Sequence, residues 1–482
     1  MTNGNAATVL ETASGTHAVV VGGSIAGLFA ASVLARRFDR VTVVERDRFP
    51  AGPTFRKGVP QSRHSHVLWQ HGIDLADSLL PGTSADLRTA GAVPVGLPSE
   101  LLWLNAAGWG RQFPATHEIL CCSRELMESV IRGRVAAPGV EFLQGHDVTG
   151  LLADESSGAV IGVKLRARPD RGQSHDGGLV DELSADLVVD ASGRGSHAPR
   201  WLAELGYDAP PETRINSFLG YATRRYAIPT DVTAGWKIMF ILPSAPDFPR
   251  GASLTPLEGD RWILTLNGAA RDYPPTDEDG FLEFARSVRS PLLYEVLREA
   301  EPLTPIHGYQ RTENIRRRYD KMPGMPARFI VLGDAACALN PVYAQGMTLA
   351  ARQAAALDRS LGRWSGRSAD LPRVARRAQR AAAKSVEGAW MIATGEDLRY
   401  PTTIGGQARL PDRLVQRYMD RVFWAACGSP AVATAVLDVL NLIDPPQALL
   451  HPRVMLSALT TRTGPLQVPP TPIRLAEQLL PA

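Results

Sequence analysis

The sequence predicts an α/β fold in which a parallel βαβ domain is interleaved with a mostly antiparallel sheet and followed by a helical C-terminal region. Three observations carry this. First, an apolar run ending Val19-Val20-Val21 enters the turn Gly22-Gly23-Ser24-Ile25-Ala26-Gly27, and Glu45 closes a second apolar run eighteen residues after Gly27. Second, Phe329-Ile330-Val331-Leu332 runs into Gly333-Asp334, then a loop holding Pro341 and Gly346, then a helical stretch over 349–361. Third, β-type runs between 205 and 320 alternate with Pro/Gly/Asp turns, whereas the stretch beyond 366 alternates helical patches with proline-rich breaks.

Each element has a physical reason. Gly22 lets the chain turn tightly after a buried strand, and Gly27 lets helix and strand pack closely. Gly23, Ser24 and Ala26 lie where the helix start offers unpaired N–H groups to a diphosphate. Ser24 stands where the usual fingerprint has its middle glycine. Glu45 is placed to accept hydrogen bonds from a ribose. This is a Rossmann-like arrangement of the glutathione-reductase kind.

The downstream element names the cofactor. Asp334 can hold a ribityl hydroxyl. The N–H groups near Gly346 and Met347 open a helix whose partial positive charge would stabilise the negative edge of a reduced isoalloxazine. The two elements in this order predict FAD rather than NAD.

On these residues the chain resembles the flavoprotein monooxygenases related to p-hydroxybenzoate hydroxylase. Within them it is similar to a bacterial branch, of the lasalocid and monensin type, that epoxidises polyene polyketides. Residues 56–66, 190–196 and 340–348 carry the closer likeness, which spans 17 to about 350. The resemblance implies that Arg46, Arg56, Lys57, Gln61, Arg124, Val148, Gly333 and Pro341 join the glycine turn at FAD. It also implies that O2 is the co-substrate and that the substrate is a lipophilic small molecule. Where the aromatic hydroxylases carry an Asp-Gly pair that serves flavin and nicotinamide, this chain has Ser192-Gly193. NAD(P)H and a separate flavin reductase therefore both stay open as the electron source. Asp190 is open between a functional role and holding its own turn.

Composition fits an enzyme of several domains. The 482 residues are 44% hydrophobic and 21% charged, with a net charge of +3, which argues against a nucleic-acid or membrane partner. The run Arg316-Arg317-Arg318 reads as a solvated face. Four cysteines, two of them adjacent, suit a reducing compartment and give no zinc spacing, and Cys337 reads as a small buried hydrophobe. His64, His66 and His71 lack ligands at metal spacing, so no metal is expected. No apolar stretch reaches 18 residues and the first 16 show no signal peptide, so a cytoplasmic protein without a membrane span is expected.

Residues 15–100, 118–204 and 320–365 are expected to form a discontinuous FAD domain, 101–117 and 205–319 the antiparallel-sheet substrate domain, and 366–482 a helical cap. Helices are expected over 374–391 and 414–426, and a polar turn over 172–178. Tyr221, Phe240, Tyr343 and Trp390 are the candidates for the substrate pocket, Trp390 because it matches a tryptophan of the epoxidase branch. Trp236, Trp262 and Tyr309 are read as lining the cleft or as core. In the reaction the resemblance implies, a C4a-hydroperoxyflavin is attacked directly by an alkene. The protein then supplies placement, a dry pocket and a proton, and no catalytic triad is expected; none is found. The function read here is epoxidation of a polyene polyketide. The alternatives are hydroxylation or epoxidation of an aromatic, indole or terpenoid substrate, then a flavin halogenase, a prenyl reductase or a non-enzymatic flavin carrier. The halogenases' Trp-x-Trp-x-Ile-Pro segment is absent.

Overall fold

A computed structural model describes residues 15–168, 180–229, 232–462, 465–467 and 474–475. The turn expected at 172–178 lies outside these residues.

Five strands form a wholly parallel sheet in the order Phe329–Val331, Leu187–Asp190, His17–Val21, Arg40–Glu45 and Val140–Gln144. Its strands His17–Val21, Leu187–Asp190 and Phe329–Val331 are near-continuous apolar runs because both faces are covered. Helix Ile25–Leu34 is buried along almost its whole length. It shares one apolar core with Arg124–Val135 and Gly346–Leu361. The sheet thus gathers segments from across the chain and sets the first helix N-terminus at the carboxyl ends of its strands, where such folds bind ligands. Its edge strand is capped by a side chain: Gln379 accepts from the Val331 N–H at 2.8 Å and donates to the Val331 carbonyl at 3.1 Å.

A seven-stranded, mostly antiparallel sheet lies beside it, in the order His307–Tyr309, Gly220–Ala227, Arg261–Gly268, Arg250–Leu257, Ile238–Ile241, Leu101–Asn105 and Gly108–Trp109. The period-two alternation of its strands separates two faces. Ala222, Tyr226, Leu254, Leu264 and Leu266 pack on helices Glu278–Ser287 and Leu292–Leu297. The alternate residues Tyr221, Thr223, Thr255 and Thr265 are buried on the other face, beneath the loop after Pro60–Arg63. Trp236 and Trp262 stack at 6.4 Å on the helix-covered face, so they are core.

The C-terminal region is helical, with helices Leu371–Ser385, Glu387–Asp397, Leu410–Gly428, Pro430–Leu440 and Pro452–Thr460. The single helix expected over 374–391 is in fact two helices that meet at Val386, and the one expected over 414–426 is longer at both ends. The solvated face expected for 316–318 is also corrected. Arg316 and Arg317 are buried, Arg317 against Glu212 at 2.8 Å and Arg316 against Glu387 at 3.5 Å and over the Trp390 ring. No helix of the described residues is long and apolar enough to cross a membrane.

Candidate flavin site

The glycine turn is built as its sequence requires. Gly22 sits at φ 99° and donates its N–H to the Val44 carbonyl at 2.8 Å. A Cβ on Gly27 would lie 1.8 Å from the Gly22 oxygen, so only glycine fits there. Leu28 N–H is the first to bond back, to Ser24 O at 2.8 Å, which leaves the preceding N–H groups of the helix start without intrahelical partners. Glu45 is buried and accepts from Gly23 N–H at 2.8 Å and Asp47 N–H at 2.9 Å.

A buried charge network stands beside this turn. Glu128 binds Arg56 Nε at 2.6 Å, Arg124 Nη2 at 2.9 Å and Ser24 Oγ at 3.1 Å. Burial opposes the charge on Glu128, yet Arg124 and Arg56 hold its pKa below the ordinary value. Arg56 also lies 3.2 Å from Glu45 and 3.3 Å from Asp47. Residues of this network line a shallow open cleft, together with Pro50, Ser62 and Arg132.

The second glycine element packs directly on the first. Gly333 has φ 62°, and a Cβ there would lie 2.6 Å from Ala26 Cβ. Asp334 follows, half-buried, and accepts no hydrogen bond from the described residues. Burial raises its pKa, and Arg194 and Arg124 act against the rise. Further along, Leu349 N–H is the first to bond back, to Gln345 O at 2.9 Å. The N–H groups of Gly346, Met347 and Thr348 thus form an open helix start.

Several buried polar atoms near these elements lack a partner among the described residues: Arg124 Nη1, Ser62 Oγ, Thr348 Oγ1, Arg194 Nε and Tyr221 OH. Buried groups of this kind ordinarily find partners. Two open helix starts, an unengaged carboxylate and orphaned donors suit a dinucleotide with a diphosphate and a polyhydroxyl chain, so the residues present fit FAD.

Arg46 and Lys57 are exposed, and Arg46 Nη2 donates to Gly58 O at 3.0 Å. Pro341 is exposed at the start of its loop. Val148 packs in the apolar cluster of strand His146–Ala153. Gln61 faces the antiparallel sheet and donates to Tyr309 OH at 2.9 Å. Asp190 is engaged within its own turn, accepting from Ser192 N–H at 2.9 Å and Ser196 OH at 2.5 Å.

Three of the four pocket candidates fall into three apolar groupings, which meet on the loop that carries the fourth, Tyr343. Tyr221 clusters with Tyr309, Tyr400 and Val342, Phe240 lies in the same cluster as Ala344, and Trp390 packs with Cys337 and Leu339. Leu339, Val342 and Ala344 all belong to the loop that leads to Gly346, as does Tyr343. This loop is anchored from behind. Asn340 N–H donates to Asn314 Oδ1 at 2.7 Å, and Asp397 accepts from Asn340 Nδ2 at 2.9 Å and Asn314 Nδ2 at 2.6 Å. Arg194 Nη2 donates to Leu339 O at 3.1 Å, tying in the turn that carries Ser192.

His64 lies against the sheet, bonded to Thr223 Oγ1 at 2.7 Å, with its ring 5.7 Å from Tyr221 and 5.5 Å from Tyr309. Burial, with His307 and Arg63 adding, lowers its pKa to about 4, so it is neutral at pH 7.

Sequence reasoning missed Glu128, Arg194 and Asp397. Glu128 had a signal, since it stands one helical turn after Arg124. Arg194 lies within the 190–196 stretch that carries the family likeness, and Asp397 had no signal.

This fold and this site define a flavin-dependent oxidoreductase. The chain belongs to the family described as FAD binding domain, the flavin monooxygenases akin to p-hydroxybenzoate hydroxylase, whose pattern matches residues 15–383. It is 32% identical over 435 residues to Protein Rv3254 of Mycobacterium tuberculosis, covering 89% of this chain and 90% of that one. Its fold is similar to that of the flavin-dependent brominase Bmp2 (16% identity, TM-score 0.61, 89% of this chain and 94% of that one). It is also similar to that of PqsL, a probable FAD-dependent monooxygenase from Pseudomonas aeruginosa (20% identity, TM-score 0.55, 80% and 98%).

Proposed function

We propose that the chain is an FAD-dependent monooxygenase that places one oxygen atom of O2 on an alkene of a large lipophilic substrate, a polyene polyketide being the best candidate. The observation that carries this reading is the meeting of three apolar groupings on the loop that ends in the second open helix start. Bound FAD, once reduced, would supply the activated oxygen. The protein's own part is binding and exclusion. Asp334 would accept from the ribityl chain, Arg124 and the first helix start would face the diphosphate, and the helix start at Gly346 would favour negative charge on the ring. Tyr221, Tyr343, Phe240 and Trp390 would keep water from the apolar substrate. Electrons would come from NAD(P)H or a separate flavin reductase.

A second reading has one observation in its favour. Neutral His64 beside Tyr221 and Tyr309 would hydrogen-bond a phenol's hydroxyl and so place its ring, although its low pKa makes it a weak base. Incubating the reduced protein with a linear polyene, and separately with a phenol, under 18O2 decides between them. Label in an epoxide supports the first reading, label in a ring hydroxyl supports the second, and label in neither product refutes both.

A further inference from the structure

The outer face of the helical cap carries apolar side chains that the fold does not use. On helix Leu410–Gly428, Leu410 is 72% exposed, Leu414 56% and Val415 59%. Leu450, Leu456 and Leu459 are also exposed, in the segment that packs beside it. Leu410, Leu414, Tyr418 and Arg421 recur at helical spacing along one stripe. Tyr418 OH donates to Leu449 O at 2.6 Å and Arg421 Nε donates to Ala458 O at 3.1 Å. These two bonds set the stripe against the ends of Pro446–Leu450 and Pro452–Thr460, where the other exposed leucines stand. Soluble chains rarely expose a contiguous apolar area above a few hundred Å² without a partner.

Charge selects the partner. Arg413, Arg417 and Arg453 stand among these residues and form no ion pair with the described residues. Basic side chains beside exposed leucines are the pattern of an interfacial helix, whose arginine stems lie on apolar surface while their heads reach anionic groups. No helix of the described residues can span a bilayer, so the contact would lie in the membrane plane. Beyond Arg421 the same side of this helix turns inward, as Val422 and Ala425 follow Tyr418 and Arg421 at i+4 spacing. Val422, Ala425 and Ala426 are buried, and Phe423 meets Trp103 edge-on at 6.1 Å in the cluster that holds Phe240.

We infer that the helical cap docks on an anionic phospholipid surface through the leucines around Leu410, Leu414 and Leu459, with Arg413, Arg417 and Arg453, which pair with no acid among the described residues, at their fringe. The inner face of this cap would then lie next to a reservoir of apolar small molecules.

The test uses the full chain loaded with FAD and sedimented with vesicles. One set is an equal mixture of phosphatidylglycerol and phosphatidylcholine, and the other is phosphatidylcholine alone. Binding to the anionic set should exceed binding to the neutral set and fall as salt rises. Reversing both Arg413→Glu and Arg417→Glu should weaken it at least tenfold, from roughly fivefold per charge near such a surface. Leu410→Ser with Leu414→Ser should abolish it while flavin content stays at the wild-type level, since both side chains are exposed. Three results overturn the inference: no preference of the wild type for anionic vesicles, equal binding by the variants, or a dimer in light scattering that the leucine pair dissolves, which would assign the patch to a second copy. The readout is lipid binding rather than turnover, so it stands or falls separately from the oxygenase reading.

Discussion

Replacing Asp397 with asparagine should change how stability depends on pH, and the surroundings of the carboxyl set the size of the effect. Asp397 is buried behind the loop that leads to Gly346, where it accepts from Asn314 and Asn340. Burial lifts its pKa from 3.8 to about 6; hydrogen bonds from Ser217, Asn340 and Asn314 oppose the rise and the nearby Glu396 adds to it. A shift of about two pKa units corresponds to ~3 kcal/mol. The folded pKa lies above the unfolded one, so the native state holds this proton more tightly. Its contribution is therefore fully present below about pH 4 and is lost as pH rises through about 6. Asparagine cannot titrate. The unfolding free energy of the wild type minus that of Asp397→Asn should thus fall by ~3 kcal/mol between about pH 4 and pH 7, then level off. Burial lowers the pKa of His17 and His64 to about 4 and of His66 to about 3, which gives both proteins the opposite slope, and this cancels in the difference. Urea titrations of both proteins at closely spaced pH values measure the gap. A gap that stays constant across this range would refute the reasoning.

Three further substitutions probe the site. Gly27→Ala puts a Cβ 1.8 Å from the Gly22 oxygen, so the turn must open; the flavin-to-protein ratio should collapse, and a variant purified with full flavin would contradict this. Asp334→Ala should weaken FAD by about 10- to 100-fold, from ~1.5–3 kcal/mol for a hydrogen bond to a charged group, measured by fluorescence titration. The unloaded protein should keep its unfolding midpoint, because Asp334 accepts no hydrogen bond from the described residues. Glu128→Ala leaves Arg56 and Arg124 buried without this shared carboxylate and should cost ~3–5 kcal/mol in urea unfolding of the unloaded protein, with Glu128→Gln milder.

The parts legible in the sequence are those set by neighbours along the chain. Gly22, Gly27 and Gly333 answer local backbone demands, and Glu45 ends the strand next to the turn it serves. The faces of the antiparallel sheet follow from alternation once its strands are paired. What escaped reading depends on contacts between distant segments. Asp397 meets partners 57 and 83 residues away, and nothing near it marks it as buried. Arg317 looked solvated because its acid, Glu212, lies 105 residues earlier and reaches it only after strands Glu212–Ile215 and Asn314–Arg317 pair. Arg46 and Lys57 have charges suited to a diphosphate, but their side chains are exposed.

The central claim is that two glycine elements far apart in the chain close on one FAD. Equilibrium dialysis of FAD against the wild type and against Gly22→Val and Gly333→Val measures this directly, since each added side chain meets backbone or the opposite element within 2.7 Å. One FAD per chain, lost in both variants, is the predicted result; a wild type that takes up no flavin, or either variant retaining it in full, would contradict it.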